Sequence, residues 1–282
     1  MEMILALGPE GTYGHEAAEK AQDTLSHYRG GSYVNVLCST HAEVMEDVTA
    51  SQGFGVVAIE NSIAGLVGEV ITFWMKQEGN SPLTVVGEVE LSIKHQLLVR
   101  PSVDDVGALS MVMSHPHALA QCTATLGKLG ITETRSTTST AAAAQVIAED
   151  AAMENVGAIA SSFAAETYDL KVILGDLQDS ANNVTRFHIL GCDPFAETGE
   201  DRTAVICWIP NKPGATVGLF RPIAETQVNM SSFHSISIGP REYAVYCEFD
   251  AHRDSPAGQE ILKRMGVAST RLLTLGSFPQ AR

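Results

Sequence analysis

The sequence predicts an α/β protein of two domains, the first of which has two lobes. Short apolar runs rich in β-branched residues alternate with alanine-rich amphipathic segments as far as Leu190, and this alternation is typical of strands joined by crossover helices. One long extended segment, Thr84–Val99, interrupts the alternation and predicts a crossing between two lobes. The length of 282 residues also favours two domains, since about 150 residues is usual for one.

The first domain contains about six strand-to-helix units. Its predicted strands are short runs, most of them apolar as expected of buried strands: Ile4–Leu7, Tyr33–Leu37, Val56–Ile59, Met111–Met113, Glu133–Ser136, Gly157–Ala160 and Val184–Leu190. Its predicted helices are longer and amphipathic: Gly14–Leu25, His41–Ser51, Glu69–Lys76, Ala118–Lys128, Ala141–Asp150 and Phe163–Tyr168.

A linker and a smaller domain follow. The segment G-C-D-P-F-A-E-T-G-E-D is rich in turn formers and acids, which is typical of a domain boundary, so we place the domains at 1–191 and 202–282. The second domain has predicted strands and helices in the order βαββαβ, the ferredoxin-like pattern. These are Thr203–Ile209, Pro213–Glu225 (helix), Val228–Ile238, Tyr243–Phe249, Ser255–Met265 (helix) and Leu272–Leu275.

Composition excludes several classes of function. The chain has 18 Lys and Arg against 33 Asp and Glu, which gives a net charge of −15. We therefore expect no nucleic-acid partner. No uninterrupted run of about 18 apolar residues occurs, so we expect no membrane-spanning helix. The first residues, M-E-M-I-L-A-L-G-P, carry an acid where a signal peptide carries positive charge, which predicts a cytosolic protein.

Metal and nucleotide sites are not expected either. The cysteines lie far apart and form no C-x-x-C; they are Cys38, Cys122, Cys192, Cys207 and Cys247. This spacing favours neither a disulfide framework nor a zinc site. The glycine-rich stretches match neither G-x-x-x-x-G-K-[ST] nor G-x-G-x-x-G, so we expect no nucleotide and no nicotinamide cofactor.

Small hydroxyl residues recur where predicted strands end and helices begin. Thr12 follows G-P-E-G, Ser114 lies two residues before Pro116, and Ser139 and Thr140 precede a predicted helix. For any one of them alone, a helix N-cap is the better explanation. As a set they predict an anion site, because the carboxyl ends of the strands line a shared crevice where helix N-termini carry partial positive charge.

Two further motifs place amides and hydroxyls at strand ends. I-E-N-S offers Asn61 and Ser62 as hydrogen-bond donors, and the glycines after it let backbone approach a ligand. An Asx-turn that closes the strand is an equally good explanation of this motif. In S-H-P-H-A-L-A-Q-C, Ser114 lies at a helix start, and we expect Gln121 to face inward about two turns later.

The segment N-N-V-T-R-F, residues 182–187, combines a hydroxyl with a guanidinium, which suits an anionic substrate that loses a hydroxyl group. On a regular strand the side chains alternate, so Thr185 and Phe187 point one way and Arg186 the other. Thr185 and Arg186 therefore contact one substrate only if the segment bends or enters a cleft. A buried Arg186 paired with a carboxylate is the alternative interpretation.

Together these motifs resemble the prephenate dehydratase family. G-P-E-G-T, I-E-N-S, S-H-P-H-A and T-R-F occur in the family's order over residues 1–191, and residues 202–279 more weakly resemble an ACT regulatory domain. The resemblance implies a two-lobed catalytic domain like the type II periplasmic binding proteins, followed by a ferredoxin-like ACT domain. It implies removal of carbon dioxide and water from prephenate to give phenylpyruvate, in phenylalanine biosynthesis and without a cofactor.

The resemblance also implies roles for individual residues. Thr185 assists departure of the ring hydroxyl, and Asn61 and Gln121 are further catalytic positions. Arg186 is expected to bind a substrate carboxylate. The other implied substrate-binding residues are Thr12, Ser62, Ser114, Ser139, Thr140 and Phe187. One departure lies in S-I-K-H-Q, where Lys94 replaces one of two adjacent histidines of many family members.

In the second domain, K-P-G-A-T and Q-V-N-M resemble the family's regulatory motifs. They imply a phenylalanine effector site at Gly214, Ala215, Asn229 and Met230. H-S-I-S, residues 234–237, stands where the family has E-S-R-P, so we expect weakened or altered inhibition by phenylalanine. A ferredoxin-like unit of about 75 residues has a limited core and an exposed sheet edge, which predicts a homodimer or homotetramer.

Three alternatives stay open from the sequence. A prephenate decarboxylase shares the scaffold but retains the hydroxyl group, and the intact T-R-F argues against it. Arogenate, the amino analogue of prephenate, is another possible substrate. A non-catalytic solute-binding protein or amino-acid sensor would use the same two-lobed, hydroxyl-lined architecture.

Overall fold

Over residues 1–77, 81–180 and 182–281, which the computed structural model describes, the chain forms three sheets. The first-lobe sheet contains β1 (Glu2–Leu7), β2 (Tyr33–Cys38), β3 (Phe54–Asn61), β4 (Gly65–Leu66), β5 (Thr84–Ser92) and β11 (Val184–Gly191). Its helices are α1 (Tyr13–Arg29), α2 (His41–Ser51) and α3 (Gly68–Lys76). The strands follow the order β2-β1-β3-β11-β5, with β4 paired to β3.

The second lobe has a sheet of its own. Its strands are β6 (Gln96–Val99), β7 (Met111–Ser114), β8 (Thr134–Ser136), β9 (Val156–Ala160) and β10 (Lys171–Leu174), in the order β10-β6-β9-β7-β8. Its helices are α4 (Pro116–Gln121), α5 (Thr123–Lys128), α6 (Thr140–Glu149) and α7 (Ser162–Thr167). Alanines from α6 and α7 pack against β9 in its core, which keeps the helices close to the sheet.

The chain passes between the lobes twice. The extended segment Thr84–Val99 supplies β5 to the first-lobe sheet and β6 to the second, which confirms the predicted crossing. The return passage enters β11, which lies antiparallel between β3 and β5. The end of β3 and the beginning of β11 therefore lie side by side, with Asn61 opposite Thr185 in the register.

The C-terminal sheet has the predicted βαββαβ order. Its elements are β12 (Asp201–Ile209), α8 (Ala215–Glu225), β13 (Met230–Gly239), β14 (Glu242–Phe249), α9 (Pro256–Ala268) and β15 (Arg271–Pro279). The strand order β13-β14-β12-β15 places β13 at one edge. Residues 192–200 form neither helix nor strand, whereas Gly191 and Asp201 at the ends of the predicted linker segment belong to β11 and β12. The predicted second domain extends one residue, Arg282, beyond the described residues.

The C-terminal sheet packs directly on the first-lobe sheet. Ile206, Tyr246 and Phe278 from the former share one buried cluster with Val57 and Val85 from the latter. At Gly276 the approach is so close that an added Cβ would come within 2.2 Å of the Val85 carbonyl oxygen. A side chain there would force the two sheets apart. One face of the first-lobe sheet, which includes the strand that carries Thr185, is thus an interface with the C-terminal sheet.

The predicted helix Ala118–Lys128 and two short strands differ from the sequence prediction. The helix is divided into α4 and α5 at Cys122, whose φ and ψ of −116° and 7° are not helical. The strands β4 and β10 were not predicted, because two and four residues are too few to show a period, although K-V-I-L of β10 is mostly apolar. No described helix is long and apolar enough to cross a membrane.

Candidate active site

A cavity of about 970 Å³ lies between the two lobes. Residues of both lobes line it, among them Thr12, Asn61, Gln121, Ser139 and Thr185. Among the described residues that form its wall there is no Asp, Glu, Lys or Arg. Polar contacts in the cavity therefore come from hydroxyls, amides, imidazoles and backbone groups.

Three described helices of ten or more residues begin at the wall of this cavity. Thr12 caps α1 by accepting a hydrogen bond from the His15 amide, and Ser139 caps α6 by accepting one from the Ala142 amide. The third is α2, whose first residue His41 also lines the cavity. Thr12 and Ser139 therefore cap their helices and line the cavity at the same time. The positive ends of three helix dipoles face the space, which favours an anion.

Asn61 holds the Thr185 hydroxyl. The Asn61 Oδ1 atom accepts hydrogen bonds from the Ile63 and Ala64 amides at 3.0 and 2.9 Å, an Asx-turn that fixes the side-chain amide. Its Nδ2 atom consequently donates to Thr185 Oγ1 at 2.9 Å. Because Thr185 Oγ1 accepts this bond, its own hydrogen is available to a group in the cavity.

A hydrogen-bonded chain extends from this pair into the second lobe. Asn61 Nδ2 also donates to Asn183 Oδ1 at 2.7 Å, and Asn183 Nδ2 donates to Gln121 Oε1 at 2.9 Å. Gln121 Oε1 lies 2.9 Å from His95 Nε2, which places the imidazole proton on Nε2. Such a chain of satisfied polar groups fixes the relative positions of the members.

Burial favours the neutral form of three imidazoles at the cavity, those of His41, His95 and His115. Burial lowers the pKa of His95, although its hydrogen bond to Gln121 acts in the opposite direction. Burial also lowers the pKa of His41, against the opposing effect of Glu69, and the pKa of His115. For Tyr13, beside His95, burial raises the pKa well above its ordinary value. Around neutral pH these groups add no charge to the cleft.

Four other predicted residues have simpler positions. Thr140 and Phe187 line the cavity, and Phe187 also belongs to the buried core of the first lobe. Ser114 is fully buried and donates to the Ile159 carbonyl at 2.6 Å, outside the cavity wall. Ser62 bonds the Asn182 carbonyl and the Val184 amide, so it joins the end of β3 to the beginning of β11. Neither serine lines the cavity.

Arg186 needs a correction. It lies on the opposite face of β11 from Thr185, and its guanidinium donates to Glu248 of β14 at 2.7 and 2.6 Å. The alternation of side chains on a strand is the physical reason, since Thr185 and Arg186 are consecutive residues of β11. Direct binding of a substrate carboxylate by Arg186 does not fit this geometry.

Lys94, which replaces a histidine of many family members, also lies outside the cavity wall. Its ammonium nitrogen is 3.8 Å from Asp176.

The predicted effector residues do not meet within one chain. Ala215 lines a cavity of about 240 Å³ with Phe233 and Ser235, and Gly214 begins α8 with a φ of 79°. Asn229 and Met230 do not line this cavity. Asn229 instead donates to Asp250 at 2.8 Å, and Met230 lies at the far end of β13.

Asn183, His95 and His41 lie at the site but are not among the residues that the sequence predicts there. Asn183 is 2% exposed and connects Asn61 to Gln121, which His95 contacts in turn. The sequence predicts His41 only as the first residue of a helix, yet it lines the cavity. Its Nδ1 atom is buried and has no hydrogen-bond partner in the described parts of the chain. A polar residue directly before an apolar strand or helix was the signal for Asn183 and His41.

Comparisons with known proteins agree with this architecture. A family model for prephenate dehydratase matches residues 4–194. The prephenate dehydratase of Methanocaldococcus jannaschii is 32% identical over 276 residues, which cover 96% of each chain. The crystal structure of prephenate dehydratase from Arthrobacter aurescens, in complex with L-Phe, is 26% identical and superposes with a TM-score of 0.84 over 98% of this chain and 90% of that one.

A further solved structure is GqqA, described as a novel type of quorum quenching acylase. It is 25% identical, with a TM-score of 0.81 over 99% of this chain and 98% of that one. The family model covers most of the chain, and the Methanocaldococcus jannaschii relative aligns over 96% of both chains. The chain described here belongs to the prephenate dehydratase family.

Proposed function

We propose that this chain catalyses the decarboxylating dehydration of prephenate to phenylpyruvate in phenylalanine biosynthesis. The observation that carries the proposal is the Asn61–Thr185 hydrogen bond in a cleft without charged side chains. We assign the reaction to residues 1–191 and its control to residues 202–282. The cytosolic location expected from the sequence stays a prediction, which cell fractionation would test.

The reaction consumes one proton overall. The bond between the ring and its carboxylate breaks, and that electron pair enters the ring as the C–O bond to the ring hydroxyl breaks. The departing oxygen takes up a proton and leaves as water, and the carboxylate leaves as carbon dioxide. Thr185 supplies a hydrogen bond to the departing oxygen, because Asn61 occupies its acceptor side and leaves its hydrogen available. The ring becomes aromatic as carbon dioxide and water leave, and this gain makes the reaction favourable.

Substrate carboxylates meet a polar but uncharged environment in this proposal. The first turns of α1, α2 and α6 offer backbone N–H groups and partial positive charge, with Thr12, Ser139 and Thr140 beside them. A carboxylate bound to a cation loses that ion pair when it becomes neutral carbon dioxide. A carboxylate held only by N–H groups and hydroxyls loses less electrostatic stabilisation in the same step. Such an environment therefore favours the decarboxylation step over the bound ground state.

The wall of the cleft favours prephenate over arogenate. Arogenate carries an ammonium group, which binds best to a carboxylate. The described wall residues include no Asp or Glu, whereas the keto group of prephenate accepts hydrogen bonds from hydroxyls and amides. Competition between the two substrates at equal concentration measures this preference.

An acylase reaction has less support in this cleft. Hydrolysis of an amide needs an activated nucleophile, and the thiol at the wall is Cys38. Burial raises the pKa of Cys38, and the carboxylates of Glu43 and Asp47 raise it further, so the thiol is not activated.

Control by phenylalanine is the regulatory part of the proposal. The cavity beside Ala215 contains Lys212 and Arg241, cations that suit an amino-acid carboxylate. Asn229 and Met230 lie at the beginning of the edge strand β13 and do not line this cavity, so a second copy of the chain would be needed to bring them to the same ligand. A homodimer or homotetramer joined through β13 would do so.

A turnover assay tests the proposed function directly. Purified protein is incubated with prephenate, and phenylpyruvate is followed by its absorbance. Stoichiometric phenylpyruvate formation supports the dehydratase. Loss of carbon dioxide without aromatisation supports the decarboxylase, and binding without turnover supports a sensor.

A further inference from the structure

The two strands that carry the catalytic contact also face the C-terminal sheet. Glu60 directly precedes Asn61 on β3, and Arg186 directly follows Thr185 on β11. Glu60 and Arg186 are opposite each other in the strand register, as Asn61 and Thr185 are. Because side chains alternate along a strand, the second pair points to the face away from the cleft.

Both residues of the second pair are held by side chains of the C-terminal sheet. Arg186 makes a bidentate pair with Glu248 of β14, with N–O distances of 2.7 and 2.6 Å. Glu60 Oε1 lies 2.8 Å from His234 Nε2 of β13. The Arg186 Nε atom is also 3.6 Å from Glu60, which connects the two contacts.

The contact at Glu248 is rigid because it is buried and bidentate. The Glu248 side chain is 0% exposed and that of Arg186 is 14% exposed. Burial acts to raise the pKa of Glu248, but hydrogen bonds from His188 and Arg186 outweigh it and hold the pKa well below its usual range. A bidentate guanidinium–carboxylate pair fixes both distance and orientation. The backbone at Arg186, next to Thr185, is therefore tied to β14.

The catalytic hydrogen bond depends on the positions of two backbones. The Asn61 amide is fixed to its own turn, so the distance to Thr185 Oγ1 is set by how β3 and β11 lie relative to each other. The C-terminal sheet contacts each strand one residue away from this bond. A displacement of about 1 Å at a reacting group costs about 100-fold in rate.

We propose that Glu248 and His234 are positioning residues for the dehydration, with Glu248 acting through Arg186 on Thr185 and His234 acting through Glu60 on Asn61. This inference rests on the proposed function, since its readout is turnover of prephenate. Neither residue touches the substrate cavity. The C-terminal sheet thus completes the catalytic geometry as well as carrying a regulatory site.

His234 gives the cleaner test because its side chain is 27% exposed and its removal leaves no buried charge unpaired. We expect His234→Ala to lower kcat about 10-fold, which corresponds to about 1.4 kcal/mol of activation free energy. KM changes little, because the cavity wall is intact. His234→Gln retains a side-chain N–H donor for Glu60 and recovers part of the loss. His27→Ala, at an exposed histidine of α1, is the matched control and keeps wild-type kinetics.

A double-mutant cycle separates positioning from a general structural effect. If His234 acts through Asn61, His234→Ala causes no further loss of kcat in an Asn61→Ala background. The second cycle combines Glu248→Gln, a near-isosteric change, with Thr185→Ala. If Glu248 acts through Thr185, Glu248→Gln causes no further loss of kcat in the Thr185→Ala background. Thermal unfolding checks that the Glu248→Gln protein folds. If Glu248→Gln does not fold, the His234 series alone decides.

Two results overturn the inference. One is a His234→Ala protein with the wild-type kcat. The other is a His234→Ala change that lowers kcat by the same factor in the wild-type and Asn61→Ala backgrounds. A wild-type protein that does not convert prephenate would instead overturn the proposed function, and this inference with it. Wild-type turnover is therefore measured first, which keeps the two failures distinct.

Discussion

The Asn61 amide nitrogen lies 2.9 Å from the Thr185 hydroxyl oxygen, and the two residues are direct partners on neighbouring antiparallel strands. The Asx-turn at Asn61 determines which residue donates, so Thr185 keeps its hydrogen for a ligand. The proposed chemistry needs a hydrogen-bond donor in a place without charge. This pair supplies it from β3 and β11, between which the chain passes into the second lobe and returns.

Asn61→Asp tests whether Asn61 orients the threonine. Aspartate has nearly the same shape and still accepts from the Ile63 and Ala64 amides. It loses the donor to Thr185, and an ionised carboxylate would accept the threonine hydrogen instead. We expect kcat to fall about 100-fold with the fold unchanged. Asn61→Asp with wild-type kcat in a prephenate assay would remove Asn61 from the mechanism.

Arg186→Ala is expected to act mainly on stability. It leaves the Glu248 carboxylate buried without its bidentate partner, which costs about 3–5 kcal/mol. Arg186→Lys keeps the charge but loses the fork geometry, so it should be intermediate. Urea unfolding of the three proteins measures the series. An Arg186→Ala protein as stable as wild type would show that the pair with Glu248 adds nothing.

Acid should destabilise the protein through Glu248. Its pKa is lowered in the folded state, after hydrogen bonds from His188 and Arg186 outweigh the opposing effect of burial. The stability that it contributes is therefore present above the unfolded pKa of about 4.3 and is lost as the pH falls towards the folded pKa. Unfolding free energy measured from pH 6 downwards should fall less steeply in Glu248→Gln than in wild type. Parallel curves would contradict this assignment.

Much of the fold follows from the sequence because its strands and helices are strongly periodic. The predicted α2, His41–Ser51, matches the observed helix at both ends, since Thr40 caps it and the apolar positions recur at helical spacing. The βαββαβ order of the C-terminal sheet was likewise predicted. The strand β10 was not, because four residues at a sheet edge are stabilised by pairing with β6 rather than by their own pattern.

The candidate site was predicted in part. Asn61, Thr185, Gln121 and the N-caps are brought to one cavity because they lie at strand ends and helix starts, which the sequence does indicate. The partner of Arg186 was not predictable, since Glu248 lies 62 residues away in another domain. Strand alternation does predict that Arg186 and Thr185 face opposite sides, and the structure follows that rule.

Phenylalanine should bind near Ala215 with weakened inhibition. H-S-I-S replaces the charged residues of E-S-R-P, and His234 of this segment contacts Glu60 rather than the cavity beside Ala215. Regulation requires different affinities for two states, so binding alone does not establish it. Calorimetry and turnover with phenylalanine, tyrosine and tryptophan measure both. Strong phenylalanine inhibition would show that the missing charges are dispensable.

The chain should form a homodimer or homotetramer. β13 is an edge strand of ten residues, and Phe233 and Tyr243 are 45% and 49% exposed on or beside it. An exposed edge with apolar side chains is stabilised by pairing with a second copy. Light scattering at micromolar concentration measures the mass. A stable monomer would contradict this expectation and the shared effector site.

The most direct test of the whole account is prephenate turnover by the wild type, Thr185→Ala and Thr185→Ser. A hydrogen bond used at the departing hydroxyl stabilises the transition state, so the alanine variant should lose about 100- to 1,000-fold in kcat with little change in KM. The serine variant should retain part of the activity, because it keeps the hydroxyl. Phenylpyruvate formation by the wild type together with this order of kcat is the predicted result. A Thr185→Ala protein that turns over prephenate at the wild-type rate would contradict the account.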